Sequence, residues 1–438
     1  MIADAFGLLL LNALWLAAGL GVTRAAGWWG GRGVAAALGV SYLAGAAAYA
    51  VLAQLLLVLG ASMKQWEVVV LCLVLAAGVL VPRGRSLPRP RVTWLTAVIA
   101  LVLAVLAVDL WFQPLWAYDS WTFWTPKAHA LAALGGLDGR WFAQPELLNR
   151  DYPIGLPALE AAGFRFTGYE TGLLDLQSWV FVVALLAAYA EIVGPRGPSW
   201  RFAIPLLVVL SPSLADQLAA AEADIPLAAL FACAAALAYV WHRERDRAAL
   251  VLFGVLAAGV VSLKAEGLPF VAVVGVVLAA AELPRWRAAL APLGAAVAAI
   301  LVGDLPWRAW SDRHDIPQQA SLGRLTDPSL TVHRLGRVST SVRYLLEKLY
   351  DPRAWLLLVP LLTVLTVAAW FRRDRRETAI VAAVVVLCLA TLVLAYWTSQ
   401  FEIHYHLVTS ARRVITGPLL AWAFLVPLLW GRGYPRAT

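Results

Sequence analysis

Long apolar runs recur along the whole chain, and they constrain its fold more than any other feature of the sequence. About thirteen stretches of roughly 17–25 residues are each long enough to cross about 30 Å of hydrocarbon as a helix. They fall at about 5–23, 33–59, 65–82, 93–112, 171–193, 201–217, 225–241, 248–264, 268–282, 288–307, 354–371, 378–397 and 413–431. Lipid offers no hydrogen bonds to the backbone, so a spanning segment must satisfy its own N–H and C=O groups, and runs of this length predict helices. The expected fold is all-α, a polytopic integral membrane protein. With 61% hydrophobic and 14% charged residues in 438, little chain is left for a large soluble domain. No basic residue precedes the first run and no A-x-A site follows it, so it reads as a retained helix and not a signal peptide.

The net charge of +8 does not point to nucleic acid, because the arginines lie in short clusters between apolar runs. This is the pattern of basic cytoplasmic loops. Arg24 to Arg32, Arg83 to Arg91, Arg196 to Arg201, His242 to Arg247, Arg285 to Arg287 and Arg372 to Arg376 then share one side. That side predicts an N-terminus outside, a C-terminus in the cytoplasm and a location in the plasma (inner) membrane. The first three runs, residues 1–92, read as an added N-terminal block before a module spanning 93–438. Cys72, Cys233 and Cys388 lie inside apolar runs far apart, without disulfide or metal spacing, and read as packing residues.

Against this background one stretch stands out: Trp116-Ala-Tyr-Asp119-Ser-Trp121-Thr-Phe-Trp124-Thr-Pro-Lys127-Ala-His129, closing at Asp151-Tyr152-Pro153. Ionisable groups beside a bilayer are expensive and mark function by default. An aromatic belt at the interface accounts for the tryptophans but not for Asp119 or Lys127. The segment 114–170 is too polar to cross and carries apolar faces near Ala128–Leu134 and Leu156–Phe166, which predicts two interfacial helices. A second polar stretch, 308–353, forms another outer loop with a helix near Tyr344–Tyr350. Further polar groups fall on the same expected outer face: Glu222 and Asp224; Lys264 and Glu266; His404, His406, Arg412 and Arg413. Convergence at one boundary suggests a site for a polar or anionic substrate.

These residues resemble the GT-C superfamily of membrane glycosyltransferases that use polyprenyl-phosphate sugars, the group containing protein O-mannosyltransferases and lipid A aminoarabinose transferases. The resemblance covers about residues 93–430. It rests on the acid of Tyr-Asp119-Ser-Trp in the first outer loop, on Asp151-Tyr-Pro-Ile-Gly-Leu156 as a looser counterpart of a Tyr/His-Pro-Pro-Leu-like turn, and on Glu222-Ala-Asp224-Ile-Pro226-Leu in the next outer loop. The chain departs from that pattern in its three extra N-terminal runs and in Ile154, where a second proline would stand. The resemblance implies transfer of a glycosyl group from a polyprenyl-phosphate donor to a lipid, glycan or protein acceptor of the cell envelope, on the extracytoplasmic face.

Lipid phosphate leaves as a stable anion, so the acceptor hydroxyl needs the help, and Asp119 is the candidate general base of an inverting transfer. Glu222 and Asp224 are candidates to support the base or to hold a divalent cation through oxygen ligands. Lys127, Lys264 and Arg413 suit the donor phosphate. Trp121, Trp124, His129, Tyr152, Glu266 and His406 are candidate substrate contacts. Structural roles stand beside each of these: a helix cap for Asp119, acids at a helix N-terminus for Glu222 and Asp224, an ion pair for Lys264 and Glu266, a membrane-boundary marker for Arg412 and Arg413. If the 404–406 segment is extended, both imidazoles share one side. A membrane transporter or flippase of lipid-linked saccharides is the alternative, and it predicts related halves with charges at the bilayer midplane, neither of which is visible.

Overall fold

The computed structural model describes residues 2–30, 34–82, 93–317 and 327–431. Arg32, the Arg83–Arg91 loop, the boundary between the two expected blocks and part of the 308–353 loop lie outside the described residues. Everything described is helix, turn or loop, with no strand among the described residues. The main helices, in chain order, are α1 (Ile2–Ala26), α2 (Leu38–Val58), α3 (Gln65–Ala76), α4 (Trp94–Phe112), α5 (Thr125–Leu134), α6 (Gly155–Thr167) and α7 (Leu173–Ile192). They continue with α8 (Ala203–Leu210), α9 (Pro212–Leu218), α10 (Asp224–Glu244), α11 (Arg247–Leu263), α12 (Gly267–Glu282), α13 (Trp286–Gly303) and α14 (Leu305–Arg313). The last are α15 (Gly336–Leu349), α16 (Leu358–Arg372), α17 (Arg375–Thr398), α18 (Ile403–Val414) and α19 (Thr416–Trp430).

Among the described residues all thirteen apolar stretches lie on helices. Eight helical stretches among the described residues are long and apolar enough to span a membrane, or nine if α8 and α9, bent by 55° where Pro212 opens the second helix, form one span. The runs at α3, α11 and α16 give shorter apolar helices, and α12 to α14 form a single 47-residue stretch from Gly267 to Arg313. Composition reports apolar length, whereas breaks at Lys264, Asp304 and Ile415 shorten what is regularly wound. The first polar loop does hold two helices, α5 and α6, of which α6 is largely buried, and α15 contains most of the Tyr344 segment.

Start signals are local and readable. Thr93 accepts from the Thr96 N–H to cap α4, and Asp246, Asp374 and Glu402 do the same for α11, α17 and α18. The post of the bundle is α10, whose most apolar window is wholly buried, whereas α4 keeps most of its surface outward as a lipid-facing helix would. Ala-rich stretches such as Ala228–Ala229 and Ala234–Ala236 let α7, α11 and α19 approach α10 closely. The N-terminal helices join the same core. Trp15 and Gly19 of α1 meet α2 backbone to backbone at Gly45, α2 packs on α7 and α11, and Gln54 donates to the Gly303 carbonyl at 2.6 Å.

Candidate functional site

The chain reverses repeatedly, so that four distant segments end at the same end of the bundle as the N-terminus of α10. Asp119 sits one residue before a π-helical turn, Ser120–Trp124, inserted ahead of α5. Such wide turns are rare and tend to occur at functional sites. The turn points Ser120 into the protein, where its hydroxyl donates to the Ala220 carbonyl and, at 3.3 Å, to that of Ala221. Ala221 holds a left-handed backbone, φ 47°, an arrangement that strains a residue with a Cβ. The strain and the Ser120 bonds together seat Glu222 beside Asp119.

Arg413, at the C-terminal end of α18, bridges the two acids. One guanidinium nitrogen lies 2.6 Å from Asp119 Oδ2 and the other pairs with Glu222. Next to them Lys264 stands in the extended break between α11 and α12, 2.8 Å from Asp224 Oδ1 and 3.4 Å from Glu266 Oε1. Helix ends favour this layout, because acids suit the start of α10 and cations suit the last turns of α11 and α18. Burial alone would drive the Lys264 ammonium down, but Asp224 and then Glu266 outweigh it and hold the amine above its ordinary value. Burial pushes the Glu222 carboxyl up, and Arg413 opposes the rise.

The cluster is incompletely satisfied. Arg413 Nε, Asp224 Oδ2, Glu266 Oε2 and His406 Nδ1 are all buried with no hydrogen-bond partner among the described residues. Buried polar atoms are nearly always bonded, so these four are free to take water or a further polar group. Asp119 is the accessible member, with 28% of its side chain exposed and no described residue bonded to Oδ1. Tyr152, half-buried, lies close enough to Asp119, Lys264 and Glu266 to feel their charges. Its ring lies tilted against Trp124 at 5.8 Å and edge-on to Phe123 at 5.9 Å.

Other expected site residues go elsewhere. Lys127 is fully buried, and its Nζ donates to the carbonyls of Asn149 (2.6 Å), Tyr152 (3.3 Å) and Arg150 (3.4 Å). Three donors matched by three carbonyls make it the anchor of the 149–153 turn, with no face left for a phosphate. Burial pushes its amine down to about 7, against the pull of Asp151. His129 is wedged edge-on between Phe164 and Tyr169, 4.8 Å from each. Trp124 is buried under Tyr152, and Trp121, exposed, donates to the Leu115 carbonyl. The 404–406 segment is the start of α18 and not extended, so its imidazoles point to different faces. His404 is exposed, whereas His406 packs against Tyr396 and Phe401 at 4.8 and 5.3 Å. Glu222 and Asp224 are committed to Arg413 and Lys264, and among the described residues no three His, Cys, Asp or Glu side chains converge as a metal would need.

Ser120, Tyr396 and Gln217 escaped the sequence reading. Tyr396 bonds Ser410 at 2.8 Å and Gln217 accepts from Thr416 at 3.0 Å, steadying α18 and α19 behind Arg413. Tyr396 and Gln217 lie in apolar runs and Ser120 sits unmarked beside Asp119, so each owes its role to tertiary packing. The turn itself is seated on α11: a Cβ on Gly155 would collide with the Ser262 carbonyl, and Trp307 donates to the Asp151 carbonyl at 2.9 Å. Comparison of the chain with protein-family models, with curated proteins and with solved structures returns no match in any of the three.

Proposed function

We propose that this end of the bundle transfers a glycosyl group from a polyprenyl-phosphate donor to a hydroxyl of a cell-envelope acceptor. The observation that carries the reading is the Arg413 bridge between Asp119 and Glu222 beside Lys264, with orphaned polar atoms on Arg413, Asp224, Glu266 and His406. A carboxylate with one free oxygen beside the buried Lys264 and the half-buried Arg413 has the parts such a transfer needs.

The acceptor hydroxyl gives its proton to Asp119 Oδ1 as its oxygen bonds the anomeric carbon, and the bond from that carbon to the phosphate oxygen breaks. The electron pair leaves with the lipid phosphate, and the anomeric centre inverts. Arg413 and Lys264 supply the positive field in which the phosphate charge grows, and their ion pairs keep both side chains in place beforehand. Tyr152 and Glu266 face the same space and suit hydroxyl contacts. The expected outer, extracytoplasmic placement of Asp119 and the membrane location belong to this reading, since a lipid-linked donor reaches the site from the bilayer. Exposed Trp116, Tyr118, Trp121 and Tyr405 offer apolar faces beside it.

The test is transfer of labelled sugar in membranes containing the chain, with polyprenyl-phosphate sugars and nucleotide sugars offered in parallel. Transfer from the lipid donor alone, lost in Asp119→Asn, is the expected result. No transfer from any lipid donor by the intact chain would sink the reading and return weight to transport of a lipid-linked saccharide.

A further inference from the structure

The opposite ends of α10, α11, α12 and α17 carry a second charged assembly that the transfer chemistry does not use. A cavity of about 400 Å³ opens there, lined by His242, Arg243 and Arg245 from the end of α10 and its loop, Glu282 at the end of α12, Arg285 just after it, and Arg376 and Glu377 from α17. This volume lies in the range that holds small ligands. With 21 residues in α10, the cavity is about 30 Å from Asp119's end of the bundle.

Each of its carboxylates already faces a basic group, although Glu377 Oε2 has no hydrogen-bond partner among the described residues. Glu244 is held in a two-point pair by Arg196, at 2.6 and 3.1 Å. Glu282, buried, meets Arg245 at 2.5 Å and the His242 ring at 2.7 Å. Glu377, also buried, meets the other nitrogen of His242 at 3.2 Å, with Arg243 at 3.9 Å. His242 is thus clamped between two acids and locks α10 to α12 and α17. What remains at the mouth is guanidinium. Arg285 has no ion pair with any described residue, and Arg376 uses one N–H on the Ala281 carbonyl and keeps the rest free. Both are exposed. A cation would find no uncommitted carboxylate pair here, whereas an oxyanion would find two planar donor forks, the geometry that matches phosphate.

The surroundings select the source of that phosphate. Leu283, Trp286 and Leu290, next to Arg285 in sequence, are 66%, 62% and 57% exposed. Apolar side chains turned outward directly beside free guanidinium groups form a surface for acyl chains under a headgroup. Basic pockets between the ends of spanning helices are where anionic headgroups bind. We infer that this cavity is a binding site for the phosphodiester headgroup of an anionic membrane lipid, with Arg285 and Arg376 as the phosphate donors and Leu283 and Trp286 beneath the chains. The lipid ties the α12–α13 corner to the start of α17, and the assignment does not depend on the chemistry at Asp119.

The test is native mass spectrometry of the purified full-length chain, titrated separately with phosphatidylglycerol, phosphatidylcholine and inorganic phosphate, on wild type and on the Arg285→Ala/Arg376→Ala double variant. Wild type is expected to bind phosphatidylglycerol saturably and at least about tenfold more tightly than phosphatidylcholine, a difference of about 1.4 kcal/mol. The double variant, altered only at exposed side chains, is expected to lose that preference and still run as a folded protein. An Arg285→Lys/Arg376→Lys variant, which keeps charge without the fork, should fall between. Equal binding of the two lipids by wild type, or undiminished preference in the alanine variant, would overturn the site. Saturation by inorganic phosphate with no lipid bound would overturn the lipid source.

Discussion

The two ends of α10 use similar residues in opposite ways. At the Asp224 end four acids face the buried Lys264 and the half-buried Arg413, the groups come from four distant segments, and polar atoms are left without partners. At the Glu244 end arginines outnumber the available acids, the buried imidazole lies between two acids, buried polar atoms on His242 and Glu377 also lack hydrogen-bond partners, and the spare donors stand outward around a cavity. Both ends hold charges in place through ion pairs. They differ in what is left over: at the first, free acid beside buried cation, suited to moving a proton; at the second, free guanidinium beside apolar surface, suited to holding an anion.

The sharpest way to break this comparison is to remove the bridging cation. Arg413→Met leaves Asp119 and Glu222 without their shared partner in a largely dry site, a loss expected to cost about 3–5 kcal/mol. Thermal unfolding in detergent should show it, whereas Arg285→Ala at the opposite end should change stability by no more than about 0.5 kcal/mol. Equal effects would erase the distinction between a half-buried and an outward cation.

Next in size is the seat of the 149–153 turn. Gly155→Ala drives a methyl into the Ser262 carbonyl and should destabilise by about 1–3 kcal/mol, because backbone on both sides must move. The Lys127 anchor predicts a pH signature. Its amine titrates at about 7 in the folded protein and at 10.5 as the ordinary value, so the unfolded chain binds more protons between those limits. Stability therefore rises with pH across that window, by at most about 1.4 kcal/mol per pH unit for this group. Lys127→Met should remove that component of the slope, read as the difference between the two pH–stability curves. The smallest effect is at Ala221, where glycine accepts the left-handed backbone. Ala221→Gly should raise stability by about 1 kcal/mol or less while loosening the hold on Glu222.

Much of the architecture was legible because apolar length and capping are local properties. Thr93, Asp246, Asp374 and Glu402 announce their helices, and every long apolar run is helical. The number of crossings was less legible, since apolar runs near 17 residues, such as 248–264, give helices at the lower limit of what spans hydrocarbon. At the site, charge rarity in an apolar chain singled out Asp119, Glu222, Asp224, Lys264, Glu266 and Arg413, and these six do converge. The same rarity singled out Lys127, which folding turned inward onto carbonyls, and His129, which stays exposed and lies edge-on to two rings. Rarity marks a charged group as important without saying whether it serves the turn or the substrate. The π turn at Ser120 and the strained Ala221 left no sign in composition, being consequences of how the two loops meet.

The most direct test of the central claim is the rate of sugar transfer by Asp119→Asn, measured beside wild type and beside Asp216→Asn at matched amounts of folded protein. Asp216 pairs with Arg412 on the exposed surface nearby, at 3.2 Å, and controls for loss of a neighbouring charge. The account predicts a fall of at least about 100-fold for Asp119→Asn, the usual weight of a positioned general base, and less than about twofold for Asp216→Asn. Transfer by Asp119→Asn at the wild-type rate would contradict it.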